Sequence, residues 1–96
     1  MKMAQKKRQT VLETLKERNK THGNFADCSA TAQELKQCMR DVGSWRYLAY
    51  DQREALELSA TKISRLLHGD PNHIDGWHDI AGFAMLIEQR LIKDEA

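Results

Sequence analysis

Apolar residues recur along this chain at spacings of three and four, and nowhere do they alternate for long enough to suggest a strand. Four helices are predicted. The first runs from about residue 4 to 19, where Val11, Leu12 and Leu15 form a thin stripe among many charges. A stripe that weak needs a partner to be stable. His22-Gly23-Asn24 then breaks the chain. The second helix spans about 25 to 41, with Phe25, Cys28, Ala32, Leu35, Met39 and Val42 on one face and Gly43 as its stop. Ser44 to Tyr50 forms a short connector holding Trp45 and Tyr47. The third helix covers about 51 to 68, with Asp51 as N-cap, Glu54 at the capping-box spacing, and Leu56, Ala60, Ile63, Leu66 and Leu67 on one face. Gly69-Asp70-Pro71-Asn72 reads as a turn. The fourth helix runs from about 73 to 92. Trp77, Ile80, Ala84, Ile87 and Leu91 give its main stripe, so Trp77 is expected in the core. Phe83, Met85 and Leu86 make it apolar on other sides too. A helix apolar nearly all round is central to a bundle or buried in an oligomer. The expected fold is all-α: one small four-helix bundle-like domain over residues 1–96, assembling as a homo-oligomer such as a dimer.

Composition narrows the function classes. Hydrophobic residues make up 41% and charged residues 30% of 96, an ordinary globular balance. Fifteen Lys and Arg against fourteen Asp and Glu leave a formal charge of +1. That gives no basic field of the kind non-specific nucleic-acid binding needs, though a local basic pocket fits it. No apolar run is long enough to span a bilayer, and the basic Met1 to Arg8 leads into no apolar secretory segment, so a cytoplasmic protein is expected. Cys28 and Cys38, ten residues apart on one helix, stand about 15 Å from each other, too far to bridge, and are expected as core thiols.

The candidate chemistry lies on the last two helices. Asp75, His78, Asp79 and Gly82 project within an arc of roughly 100° on the fourth helix, opposite its main apolar stripe. Carboxylates four apart can share a hard divalent cation such as Mg²⁺. An acidic first turn also simply favours the helix dipole, and a polar face is commonly just wet. Leu86 continues the acidic arc and suggests that it runs into a buried seam. On the third helix, Glu54 and Glu57 are candidate metal ligands, and Lys62 and Arg65 are candidate phosphate ligands. Ordinary surface ion pairs would use the same residues. His22, His68, His73 and His78 include no i, i+4 zinc pair, and neither a phosphate-binding loop nor a dinucleotide glycine run occurs.

The segment from Lys62-Ile63-Ser64-Arg65-Leu66-Leu67-His68-Gly69-Asp70-Pro71 through Asp75-Gly76-Trp77-His78-Asp79-Ile80-Ala81-Gly82-Phe83-Ala84 resembles a family of small uncharacterised phage and prophage proteins. Their pattern reads roughly K-I-x-R-[IL]-L-x-G-[DN]-P, then D-x-W-x-D-I-x-G-[YF]-A. His22-Gly23-Asn24-Phe25 and Gln52-Arg53-Glu54-Ala55-Leu56 share the likeness, which covers about residues 18 to 91. More distantly, the chain is similar to the MazG-like all-α nucleotide pyrophosphohydrolases, which hold magnesium with an E-x-x-E pair on one helix and E-x-x-D on the next. Glu54 and Glu57 match the first pair. Asp75 and Asp79 stand as D-x-x-x-D, one residue and one carboxylate type away from the second.

Three functions follow as expectations. In the first, a phage-encoded magnesium-dependent nucleotide hydrolase, Glu54, Glu57, Asp75 and Asp79 hold Mg²⁺, Lys62 and Arg65 hold phosphates, and His78 is the candidate base. In the second, the fold sequesters a nucleotide or nucleotide-derived defence signal without catalysis, using Lys62, Arg65 and an aromatic, Trp45 or Tyr47. In the third, the chain binds and inhibits a host protein.

Overall fold

The computed structural model describes residues 10–96. Among the described residues there are four α-helices: α1 (Val11–His22), α2 (Phe25–Asp41), α3 (Tyr50–His68) and α4 (Ile74–Glu95). A short 3-10 helix, Gly43–Tyr47, lies between α2 and α3, and no strand occurs among the described residues. The all-α, bundle-like fold predicted from the spacing is the one observed. The predicted start of the first helix falls largely outside the described residues, and its end lies three residues later than expected, at His22.

Local chemistry sets the helix starts. Thr10 caps α1 by accepting a hydrogen bond from the Glu13 N–H at 3.1 Å, and the Glu13 carboxylate accepts from the Thr10 N–H at 3.3 Å. Asn24 caps α2 by accepting from the N–H groups of Ala26 and Asp27. The cap predicted for α3 is displaced. The helix begins one residue earlier, and the Gln52 side chain accepts from the Ala49 N–H at 2.9 Å. Asp51 is instead drawn across to α4, where Arg90 grips its carboxylate with two bonds of 2.7 and 2.8 Å and also bonds Asp94. The Arg90 guanidinium holds the Asp51 carboxyl below the usual carboxylate range. This pairing ties the start of α3 to the end of α4.

The central helix is α3, not α4 as the apolar count suggests. It packs on α2 with one face and on α4 with the other. Towards α2 it presents Ser64, fully buried, whose hydroxyl donates to the Cys28 carbonyl at 2.6 Å. Towards α4 it presents Leu66, which rests on Gly76; a Cβ at Gly76 would lie 2.9 Å from a Leu66 methyl. The buried hydrophobic residues are few and mostly small: Cys28, Ala32, Ala60 and Leu66. Small side chains let the helices approach closely without a large apolar core.

Several predicted core positions are therefore exposed. Trp77 is 57% accessible. The half-buried line of α4 runs through Gly76, Ile80, Phe83, Ile87 and Arg90, a rotation of roughly 60° from the predicted stripe at 100° per residue. The indole N–H of Trp77 donates to the Pro71 carbonyl at 2.7 Å, so the ring lies over the turn and not in the core. On α3, Leu56, Ile63 and Leu67 are exposed; Phe25 on α2 and Val42 just after it are exposed as well. Cys28 is a buried thiol as expected, but Cys38 is exposed, and neither forms a disulfide.

Candidate functional site: the corner where three helix ends meet

Three helix termini converge at one end of α3. The C-terminal ends of α1 and α3 each finish in a His-Gly pair, His22-Gly23 and His68-Gly69, and the two pairs cross in contact. Gly23 has φ +78°, a left-handed conformation that suits glycine. A Cβ on Gly23 would lie 2.4 Å from the His68 carbonyl oxygen, and one on Gly69 only 2.2 Å from the Thr21 carbonyl oxygen. The Asp70 N–H donates to that same Thr21 oxygen at 2.9 Å. The Cys28 thiol donates to the His22 carbonyl at 2.7 Å, and Thr31 Oγ1 is 2.6 Å from His68 Nε2. The bonds to the Thr21 and His22 carbonyls satisfy acceptors that a helix end leaves open.

Beside the crossing lies a cavity of about 190 Å³. Thr21 and His22 of α1, Lys62 and Arg65 of α3, and His73, Asp75 and Asp79 at the start of α4 line it. The His22 and His73 rings meet edge to face, with centroids 5.5 Å apart. Lys62 Nζ stands 2.8 Å from Asp79 Oδ2. The Lys62 hydrogen bond holds the Asp79 carboxyl below the usual carboxylate range. Asp75 is 83% exposed and lies at the rim, 3.9 Å from His73 Nε2. Arg65 is half-buried and has no ion pair or side-chain hydrogen bond among the described residues.

Burial lowers the pKa of His22, and the nearby Arg65 charge lowers it further. The unfolded chain therefore binds a proton at a higher pH than the folded one. This contribution to stability is intact above the ordinary histidine value of 6.5 and is lost as pH falls through the depressed folded value. The urea midpoint of the wild-type chain is expected to fall between pH 7.5 and 5.5, and His22→Gln is expected to flatten that slope. An equal slope in the variant would count against the assignment.

The structure gathers four of the residues proposed from the sequence: Lys62, Arg65, Asp75 and Asp79 share the cavity. It does not bring the others there. Glu57 faces α2 and pairs with Arg40, and Glu54 is solvent-exposed. Among the described residues, no three His, Cys, Asp or Glu side chains gather as a metal-holding group. His78 is exposed on the outer side of α4, beside Gly82 and Leu86. Trp45 and Tyr47 precede the opposite end of α3, roughly 20 Å from Arg65 along the helix axis. There the Arg46 guanidinium covers the Tyr47 ring at 4.9 Å.

No known protein family, curated protein or solved structure matches this chain.

Sequence reasoning passed over Thr21, His22 and His73. The one available signal was the repeated His-Gly at two helix ends. Nothing in a linear pattern says that two such ends touch. Nor did the exposed faces point to a membrane: no helix among the described residues is long and apolar enough to cross one.

Proposed function

We propose that this chain binds a phosphorylated small molecule, a nucleotide or nucleotide-derived signal, by its phosphate at the three-helix corner, and leaves it chemically unchanged. One observation carries the reading: the half-buried residue Arg65 borders the cavity and, although its charge is felt by Asp79, makes no ion pair or side-chain hydrogen bond among the described residues. A guanidinium without an ion pair is available to an anion, and a phosphate is the anion its fork of donors fits best. Asp79 pairs directly with Lys62 and feels Arg65 only at longer range, and Asp75 lies at the rim, so the cavity keeps a net positive charge centred on Arg65. His22 adds a second positive charge once protonated. The first turn of α4 borders the same space and brings its positive dipole end there, although the Gly76 N–H already donates to the His73 carbonyl at 3.2 Å.

The cavity's volume sets what enters. At about 190 Å³ it is smaller than a typical drug-sized pocket of roughly 300–1,000 Å³. It takes a phosphate group, and the sugar and base lie outside. The residues present do not fit a resident magnesium ion. Glu57 is engaged by Arg40, Asp79 by Lys62, and Glu54 is remote from the cavity. The reading therefore contains no metal-dependent step. In the phage setting that the resemblance implies, such a module removes a nucleotide signal from circulation.

Calorimetric titration with a panel of nucleotides and their nucleosides, with and without Mg²⁺, tests this. Phosphorylated compounds are expected to bind, nucleosides to be silent, and bound ligand to be recovered intact. Recovery of hydrolysed product only when Mg²⁺ is present would revive the hydrolase reading. No heat across the panel, or equal binding by nucleosides, would sink the proposal.

A further inference from the structure

The outer face of α4 carries a second apolar stripe. Ile74, Trp77, Ala81, Met85 and Ile92 recur at spacings of three, four, four and seven, on the side opposite the line that packs on α3. Ile74 is 78% accessible, Trp77 57%, Met85 57% and Ile92 59%. Taking roughly 200 Å² for a large side chain, these four expose about 500 Å² of mostly apolar surface. That is over half of the roughly 800 Å² that each partner contributes to a stable interface of standard size. A patch of about 500 Å² lies toward the upper end of what a monomer exposes, where such patches are often functional.

The stripe is also self-complementary. Ile74 and Ile92 stand nine residues either side of Phe83, and Ala81 and Met85 two either side. Its one interior charge is Glu88, five residues after Phe83. Asp75 and Lys93 are eighteen residues apart, five full turns, so they share one flank at opposite ends of the helix. A two-fold axis perpendicular to an antiparallel helix pair brings like flanks together. Asp75 then lies within about 3 Å in height of the partner's Lys93, and Lys93 of the partner's Asp75. A parallel pairing would place the two Asp75 residues on opposite sides of the pair and both Lys93 residues at its far end, so neither charge would gain a partner.

We infer that α4 pairs with α4 of a second copy of this chain, antiparallel about a two-fold axis level with Phe83. Ala81 sits beside the axis, where its small side chain lets the two helices approach. Trp77, which contributes nothing to the protomer core, becomes an anchor of the interface, a common role for exposed tryptophan. The two cavities then open at opposite ends of the pair, since each lies at the start of its own α4.

Sedimentation equilibrium at micromolar concentration tests the pairing. The wild-type chain is expected to be a dimer. Ala81→Arg, at an exposed position, is expected to weaken dimerisation at least a hundredfold with unchanged helical circular dichroism. Lys93→Asp is expected to weaken it about tenfold, and Lys93→Asp combined with Asp75→Lys to restore it. A wild-type chain that stays monomeric overturns the inference and leaves the stripe to a different protein. A dimer unaffected by Ala81→Arg places the interface elsewhere. Failure of the double reversal to recover what the single one lost refutes the antiparallel order.

Discussion

Replacing Gly69 with alanine is expected to be, with Gly23→Ala, one of the two most damaging single-methyl changes among the described glycines. The added carbon would meet the Thr21 carbonyl oxygen at 2.2 Å and the His22 backbone at 2.6 Å. Both are main-chain atoms, so no rotamer change relieves the overlap. Relief requires α1 to lift off α3, which breaks the Asp70 N–H bond to Thr21 and the thiol bond from Cys28 to His22. Overpacking that moves backbone costs about 3 kcal/mol or more, against a total stability of about 5–15 kcal/mol for an ordinary domain. Gly23→Ala should act at the same crossing, with the added strain of φ +78°. Gly82 provides the control, because a Cβ there meets nothing within 4 Å. Gly82→Ala should stabilise the helix by about 0.5–1 kcal/mol. Urea denaturation separates the three: a Gly69→Ala midpoint equal to that of wild type would mean that the two helix ends do not cross as described.

The second large effect concerns binding and not folding. Arg65→Ala is expected to lower affinity for a phosphorylated ligand by roughly tenfold to a hundredfold, the equivalent of a hydrogen-bonded charge worth about 1.5–3 kcal/mol. Its urea midpoint should stay close to wild type, because the guanidinium has no ion pair or side-chain hydrogen bond among the described residues to lose. Arg65→Lys should recover only part of the affinity, since a single ammonium cannot offer two parallel donors to one phosphate. The contrast with Arg40 is instructive. Arg40 pairs with Glu57 across α2 and α3, so its removal should leave nucleotide binding intact. A loss of stability in Arg65→Ala as large as its loss of binding would show that Arg65 is structural.

Much of the fold is legible in the sequence, and the reason is visible in particular residues. Asn24 before Phe25 and Gly43 after Val42 bracket α2, and the observed helix, Phe25–Asp41, keeps those limits. Gly69-Asp70-Pro71-Asn72 marks the last turn, where the Asp70 carboxylate accepts the Asn72 N–H at 2.9 Å. Start and stop signals act locally, so a linear pattern contains them. Helix phase is different. The faces that meet are marked by Ala32, Ala60, Ser64 and Gly76, residues that hydropathy hardly registers. The large apolar residues that it does register, Trp77 above all, look outward. The site divides the same way. Lys62, Arg65, Asp75 and Asp79 were legible because their spacing puts each pair on one helix face. Glu54 and Glu57 were misleading because α3 offers different faces to different neighbours: Glu57 turns to α2, Lys62 to α4. His22 was invisible because its place in the cavity depends on a crossing between residues far apart in the chain.

The same crossing makes the connections of this protein unequal. The link from α3 to α4 is the one a protein engineer would choose for an insertion, since it is short, polar and marked by glycine and proline. Yet Gly69 is wedged against α1, and Asp70 is bonded to it. Extra residues there would pry the corner open. The region around Gly43 has the opposite character: its Cα faces open space, with nothing within 4 Å of an added carbon. A tag, an epitope or a circularly permuted terminus belongs there, at the far end of α3 from the cavity.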